Sequence, residues 1–420
     1  MKLISLFGIF SSAASYTYDL TIDLCDPSGC HPSQQRVALD ANAKPGHENQ
    51  VHVSGDSLTL EYAQWIGGPR VYLIEQNGVN ENKMFHIEGN EFSFDVELSS
   101  MTCGFNAAAY LVGMDANQGG AEWGTRYCDA QAVTDGPQVG TYCSEMDLFE
   151  GNTAAQQMTT HGCIDRCASF SDDWGCKSQG KNDICDHSGC GMNPFRYGPG
   201  SGYGGDAGFN EGWYGAGSQY QLDSTKPFTV TTQFHGDRIE RFYTQNGQHI
   251  ALPTLYVRKP TEGSHFDPFY GPHINEEYCA LTFDKWTGDG LGPHDQMMKN
   301  SRNGMVLAMS AWYDEEVGPD RGMSWMDGSN GWGKVGPCNT YPTSDQGYHK
   351  ATFSKIRFGS IGHTVAPAPP APTPPPPPPP PPAPHCCQGG CNGYCQQGWC
   401  GQSASNCAQC SGQFCQGVLV

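Results

Sequence analysis

Along the first 360 residues, apolar side chains recur at every second position in short runs. Leu58 and Leu60 alternate with Ser57, Thr59 and Glu61, and Phe92, Phe94, Val96 and Leu98 alternate with Ser93, Asp95 and Glu97. A strand points successive side chains to opposite faces, so a period of two predicts half-buried strands. Segments 57–62, 70–74, 92–98, 107–115, 228–234, 238–247, 305–312 and 350–359 read as strands, rich in β-branched and aromatic residues. The helical period is almost missing; residues 295–303 (DQMMKNSRN) offer the best short helix. Many strands with Gly-rich turns predict a β-sandwich or barrel. Wide gaps between strands, above all 160–220, predict long loops able to build a cleft.

Composition adds the compartment. Residues 1–15 (MKLISLFGIFSSAAS) carry one Lys, a short apolar run and small residues at the end, the layout of a secretory signal peptide. That run is too short to span a bilayer, and no later stretch reaches the ~20 apolar residues a membrane helix needs. A secreted, extracellular protein with no membrane partner is expected. Twenty cysteines in an exported chain predict a disulfide framework. Zinc is the alternative, because Cys163, Cys167, Cys176, Cys185 and Cys190 cluster with His161 and His187. Their spacings match no CxxC pair, so no metal and no cofactor is expected. A net charge of −20 argues against nucleic acid, which needs clustered Lys and Arg. It fits a soluble monomer acting on a neutral polymer.

Residues 366–384 are almost pure Pro and Ala. Such a segment adopts polyproline II and forms a stiff spacer of roughly 60 Å at about 3.1 Å per residue. It divides a main domain at 16–365 from residues 385–420, which hold eight cysteines and are too few to fold on an apolar core alone.

The densest chemistry lies in Ser144-Glu145-Met146-Asp147-Leu148-Phe149-Glu150-Gly151-Asn152. On a strand Glu145 and Asp147 share a face, and Glu150 would point the other way. One extra residue re-aims it, so a β-bulge is predicted near Leu148–Phe149. Three acids on one face repel, which costs stability unless the site uses them. Retaining glycoside hydrolysis does: one carboxylate attacks the anomeric carbon while a protonated carboxyl ~5–5.5 Å away serves the leaving oxygen. A solvated acidic edge strand or a calcium site are the alternatives that these residues alone leave open.

The strand SEMDLFEGN followed by TTHGC resembles the active-site strand of glycoside hydrolase family 7, the cellobiohydrolases and endoglucanases. So, in order, do GNEFSFDVEL (89–98), CGFNAAAYLVGMDANQGG (103–120), YCDAQ (127–131), MNPFRYGPG (192–200), FTVTTQF, RFYTQNG, GMVLAMSAW (304–312), SWMD (324–327) and FSKIRFGSIG (353–362). The resemblance covers roughly residues 20–362. It implies an all-β, concanavalin-like sandwich (jelly roll) of two curved antiparallel sheets with long loops, and a substrate of cellulose or another β-1,4-glucan. It also implies that the twelve cysteines of the main domain pair as 25–30, 103–338, 128–143, 163–185, 167–176 and 190–279, with no orphan.

By the same resemblance Glu145 is the nucleophile, Asp147 its supporter and Glu150 the acid/base, with His161 near the leaving-group side. Trp312 and Trp325 match tryptophans of the leaving-group side. Tyr110, Tyr127, Asp129, Gln131, Asn106 and Arg70 match cleft positions on the other side, and Arg196 a product-side arginine. Departures from the family pattern bear on the mode of action. Fourteen residues separate Cys128 from Cys143, where tunnel-forming members carry a much longer loop. Residues 40–56 lack the tryptophans and bridged loop of a tunnel entrance, Val335 replaces an expected arginine, and Ser188 and Gly191 replace an acidic pair. An open cleft and endo-acting cleavage follow. A processive cellobiohydrolase of the reducing-end type, a β-1,3 or mixed-linkage glucanase and a non-catalytic glucan-binding lectin are the alternatives. The long insertion 198–217 speaks for covering loops, and its Trp213 and Tyr214 either contact sugar or pin the loop. In the C-terminal segment, Tyr394, Trp399 and Phe414 are the large aromatics, and a flat cellulose-binding face is expected of them, a protein-interaction or merely protease-resistant tail being the alternative.

Overall fold

The computed structural model describes residues 15–76, 80–98, 100–117, 120–131, 140–170, 176, 184–194, 212–257, 269–282, 288–314, 323, 325–330, 333–334, 336–338, 347–365, 386–388 and 413–415. Two compact units divide the chain, Met1–Pro367 and Ala368–Val420.

The first unit is built from antiparallel ladders. Its principal strands are β1 (Thr17–Asp26), β2 (Gly29–Leu39), β3 (Val51–Ser54), β4 (Ser57–Ala63), β5 (Arg70–Glu75), β6 (Asn90–Glu97) and β7 (Phe105–Val112). They continue with β8 (Glu145–Gly151), β9 (Gln156–His161), β10 (Cys190–Met192), β11 (Phe228–Phe234), β12 (Ile239–Gln245), β13 (Met305–Tyr313) and β14 (Tyr348–Ser360). One layer runs β1-β2-β5-β13-β7-β8-β9-β10. The other runs β3-β4-β14-β6-β11-β12. Every strand read from alternation is present, and so is the short helix, which spans Pro293–Asn300 (α2) and continues into a 3-10 turn over Ser301–Asn303. A second helix, α1 (Glu276–Thr282), and the β1–β2 hairpin have no counterpart in the alternation reading. The hairpin's second strand is largely exposed through residues 29–34, so it lacks an apolar stripe to betray it.

The layers meet at β14. Up to Ser354 it pairs with β4, and beyond Arg357 it lies parallel to β1. The switch happens at a register shift between Ser354 and Arg357, where Lys355 takes a left-handed φ of 49°. A bulge bends a strand and strengthens its twist, and this one turns the corner between the sheets. Gly359 completes the junction, because a Cβ there would stand 2.0 Å from the carbonyl oxygen of Cys25.

Between the layers lies one continuous core. It takes Leu20 and Ile22 from β1, Val71 and Leu73 from β5, Phe92, Phe94 and Val96 from β6, and Ala107, Ala109 and Leu111 from β7. The alternate residues of the first layer face away from that core. Tyr72, Ala108, Tyr110, Val112, Val306 and Ala308 form a second cluster there with Tyr127, Cys128, Cys143 and Phe170 of the covering loops. Burial on both faces explains why β7 and β13 read as near-continuous apolar runs. All six expected disulfides of this unit are present: 25–30, 103–338, 128–143, 163–185, 167–176 and 190–279. The cysteines of the zinc alternative are thereby consumed.

Trp213 and Tyr214, which the sequence left between two roles, pin their loop. Both are buried in the inter-sheet core, and the Tyr214 hydroxyl donates to the carbonyl of Asn152 at 2.5 Å. In the second unit, the described residues are two short antiparallel strands, Cys386–Gln388 and Gln413–Cys415. Tyr394, Trp399 and Arg196 lie outside the described residues, as do Val335, most of the 198–217 insertion and the Pro-rich run; Phe414 sits on the second of the two strands.

Candidate active site

Strand β8 has partners on both edges, and both ladders slip at the same place. Against β7, Phe149 pairs with Ala109 and Asp147 with Tyr110, so two adjacent residues face two that are one apart. Against β9, Glu150 pairs with Gln157 and Asp147 with Thr159. Against β7 the extra residue is Leu148, and against β9 Leu148 and Phe149 together stand where the partner strand has only Met158. The predicted bulge is therefore present at Leu148–Phe149, and both side chains go into the inter-sheet core. Its effect on the acids is direct. Glu145, Asp147 and Glu150 pair with Val112, Tyr110 and Ala108, which share the face away from the core. All three carboxylates stand on that face.

Each carboxylate has its own setting. Glu145 is buried and accepts the backbone N–H of Ala130 at 3.1 Å. Burial first, then the charges of Asp147 and Asp129, push its carboxyl well above the usual range, while His161 and the Ala130 N–H pull it back. Glu150 accepts the side-chain amide of Asn106 at 2.7 Å and is likewise raised, by burial and by Asp147. Asp147 is pushed up to about 8 by burial and then by Asp129. Like charges placed this close do not ionise independently, so the three carboxyls titrate as a coupled set.

His161 lies opposite Glu145 on the β9–β8 ladder. Its Nδ1 lies 2.7 Å from the carbonyl oxygen of Asp186, which only accepts, so Nδ1 carries a hydrogen. Its Nε2 then faces Asp147 at 3.2 Å. That contact ties the Asp147 carboxyl to a fixed ring.

The other sequence-selected residues fall into two groups on either side of the acids. Trp312 and Trp325, both partly exposed, stack with ring centroids 6.2 Å apart and planes at 30°. On β5 and β7, Arg70 lies 3.5 Å over the ring of Tyr127, whose hydroxyl is 3.1 Å from that of Tyr110. Tyr72 stacks on Tyr127 at 5.5 Å, so this aromatic is largely engaged by protein. Asp129 receives the backbone N–H of the exposed Gln131 at 3.0 Å. Two residues that sequence reasoning missed organise this side. The buried Asp40 carboxylate accepts Arg70 Nε at 2.8 Å and the Tyr72 hydroxyl. Tyr72 carried a signal, being the one aromatic in the alternation of β5; Asp40, at a strand's end, carried none.

Residues 47–137 and 134–365 match the family model described as glycosyl hydrolase family 7. Endoglucanase type C of Fusarium oxysporum is 34% identical over 374 residues, which is 81% of this chain and 78% of that protein. The native Humicola insolens endocellulase EGI structure superposes with a TM-score of 0.67 at 27% identity, covering 84% of this chain and 99% of that one. A family 7 cellobiohydrolase from Daphnia pulex superposes with a TM-score of 0.65 at 26% identity, again over 84% and 99%.

Proposed function

The chain belongs to glycosyl hydrolase family 7, and from that premise we propose that it hydrolyses β-1,4-glucosidic bonds of cellulose with retention, cutting within chains. The observation that carries the reading is the bulged β8 strand, which sets three carboxylates on one face, Glu145 and Asp147 buried and Glu150 partly exposed. Glu145 attacks the anomeric carbon, and Glu150 protonates the departing oxygen, giving a covalent glycosyl-enzyme. Glu150, now ionised, then takes a proton from the water that releases the sugar. The environments support this division of roles. Glu145 has the Ala130 N–H to stabilise its anion, and Asp147, held by His161, stands beside it. Burial and the neighbouring Asp147 push the Glu150 carboxyl above the usual range, the direction a general acid requires. Trp312 and Trp325 offer ring faces to glucose units, and Arg70, Asp129 and Gln131 offer contacts on the other side; the buried Tyr110 and Tyr127 support that side, and the buried Asn106, across the ladder from Trp312, holds Glu150.

Endo action rests on the short Cys128–Cys143 segment and on relatives named as endoglucanases. We further assign the Cys-rich C-terminal segment to cellulose binding, on its aromatics and the Pro-rich spacer before it; the family match ends at residue 365. On soluble cellulose, viscosity is expected to fall steeply before many reducing ends appear, and Glu145→Gln to abolish turnover. Newly released reducing ends should carry the β configuration. Inverted product would overturn the mechanism, and slow viscosity loss with accumulating cellobiose would overturn the endo mode.

A further inference from the structure

We infer that Arg241, a buried cation on the opposite sheet, is the positioning residue that holds the β8 bulge open and so keeps Glu150 on the active face. The inference rests on the functional reading above, because it assigns Arg241 a part in that same reaction. Strand β12 turns Ile239, Arg241, Tyr243 and Gln245 inward and its alternate residues partly outward. Arg241 is only 3% exposed, and it reaches across the sandwich to the underside of β8. Its Nη2 donates to the carbonyl of Leu148, the one residue that both ladders leave over.

The match is chemical. A bulge disrupts the ladder locally, and an unpaired buried carbonyl is costly. A guanidinium is the strongest donor a side chain can bring to it. The cation is itself expensive here. Burial pulls its pKa down, no carboxylate bonds it among the described residues, and its Nη1 has no hydrogen-bond partner. It also donates to the Thr232 hydroxyl, at 3.3 Å from Nε and 3.0 Å from Nη2, directly across the β11–β12 ladder, and interacts with the Tyr243 hydroxyl on its own strand. A general core residue would be apolar at this place. What a donor adds is specificity of register: if the extra residue at 148 were absorbed into the ladder, Glu150 would turn to the core face. Two residues along β12, the Tyr243 hydroxyl donates to Gln156 at 2.8 Å, and Gln156 pairs with Gly151 beside Glu150. The outer sheet thus grips the acid/base segment from two points.

The test uses leaving groups. If Arg241 positions the acid, its loss harms cleavage of bonds that need protonation and spares those that do not. The full-length chain is compared with Arg241→Lys and Arg241→Met on matched aryl cellobiosides, reading kcat/KM, which reports steps through formation of the glycosyl-enzyme. For Arg241→Met, kcat/KM on an unactivated phenyl leaving group should drop at least ten-fold more than on a dinitrophenyl one. Arg241→Lys, which keeps a donor, should recover most of the difference. Equal losses on both leaving groups in Arg241→Met would overturn the inference, as would an Arg241→Lys variant as selectively impaired on the phenyl substrate as Arg241→Met. If Arg241→Met does not fold, Tyr243→Phe decides in its place, because it loosens the same grip: a selective loss on the phenyl substrate supports the inference and a uniform one refutes it. Absence of turnover by the unaltered chain on both cellobiosides would refute the functional reading instead.

Discussion

Asp147 shows most clearly what the active face costs. An isolated aspartate ionises near pH 3.9, whereas this one is held up to about 8 by burial and its acidic neighbours. The native state therefore keeps a proton that the unfolded chain gives up. Linkage fixes the sign: stability from this group is full below about pH 4 and is lost as pH rises toward 8. Asp147→Asn removes the charge at nearly constant shape. It is expected to raise stability at pH 7–8 by on the order of 1–3 kcal/mol, less than the raw shift suggests because the three acids titrate together. At pH 4 the variant should match the parent, and activity should fall at every pH because the ring of His161 loses its carboxylate partner. Thermal melts across pH decide it; a variant less stable at pH 8 than its parent would show that Asp147 is ionised and well solvated in the fold.

At the scale of elements, what the sequence made legible was whatever left a local pattern. Alternation exposed β4, β6 and β12, and three acids within six residues required a bulge for their faces to agree. The bulge could be read because it resolved a conflict inside one strand. The β1–β2 hairpin, polar on its outer half, left no such trace, and neither did contacts that cross between elements: Asp40 to Arg70, the Asp186 carbonyl to His161, Arg241 to Leu148. Those depend on which loop or sheet meets which, and no single segment encodes that. The turn before β10 is another case. Gly189 has φ of 67°, and a Cβ there would lie 2.4 Å from His161 Cε1 and 2.4 Å from Thr159 Cγ2. Gly189→Ala combines left-handed strain with a clash, for a loss of about 1–3 kcal/mol. Since the displaced atom belongs to His161, kcat should fall more than ten-fold while KM changes little. A urea titration with parallel kinetics checks both. Retained kcat with lost stability would mean that the ring moves without consequence for the acids.

For the whole molecule, the division of labour follows from where each part finds its stability. Residues through 365 contain the two-layer core, six disulfides and every described residue of the candidate site. The C-terminal segment has eight cysteines in 36 residues and too little apolar material for a core of its own. On the proposal that the C-terminal segment binds cellulose, a Pro-rich spacer, whose composition favours an extended chain, would raise the local concentration of the first unit at a surface. Ending the chain after residue 365 should then leave kcat and KM on soluble cellulose within about two-fold and the melting temperature of the first unit unchanged. Adsorption to insoluble cellulose, and hydrolysis of it at low solids, should drop several-fold. The contrast between soluble and insoluble substrate is the informative quantity. Equal adsorption with and without the segment would remove cellulose binding from it, and a loss on soluble substrate would mean that the first unit depends on the tail for its own active face.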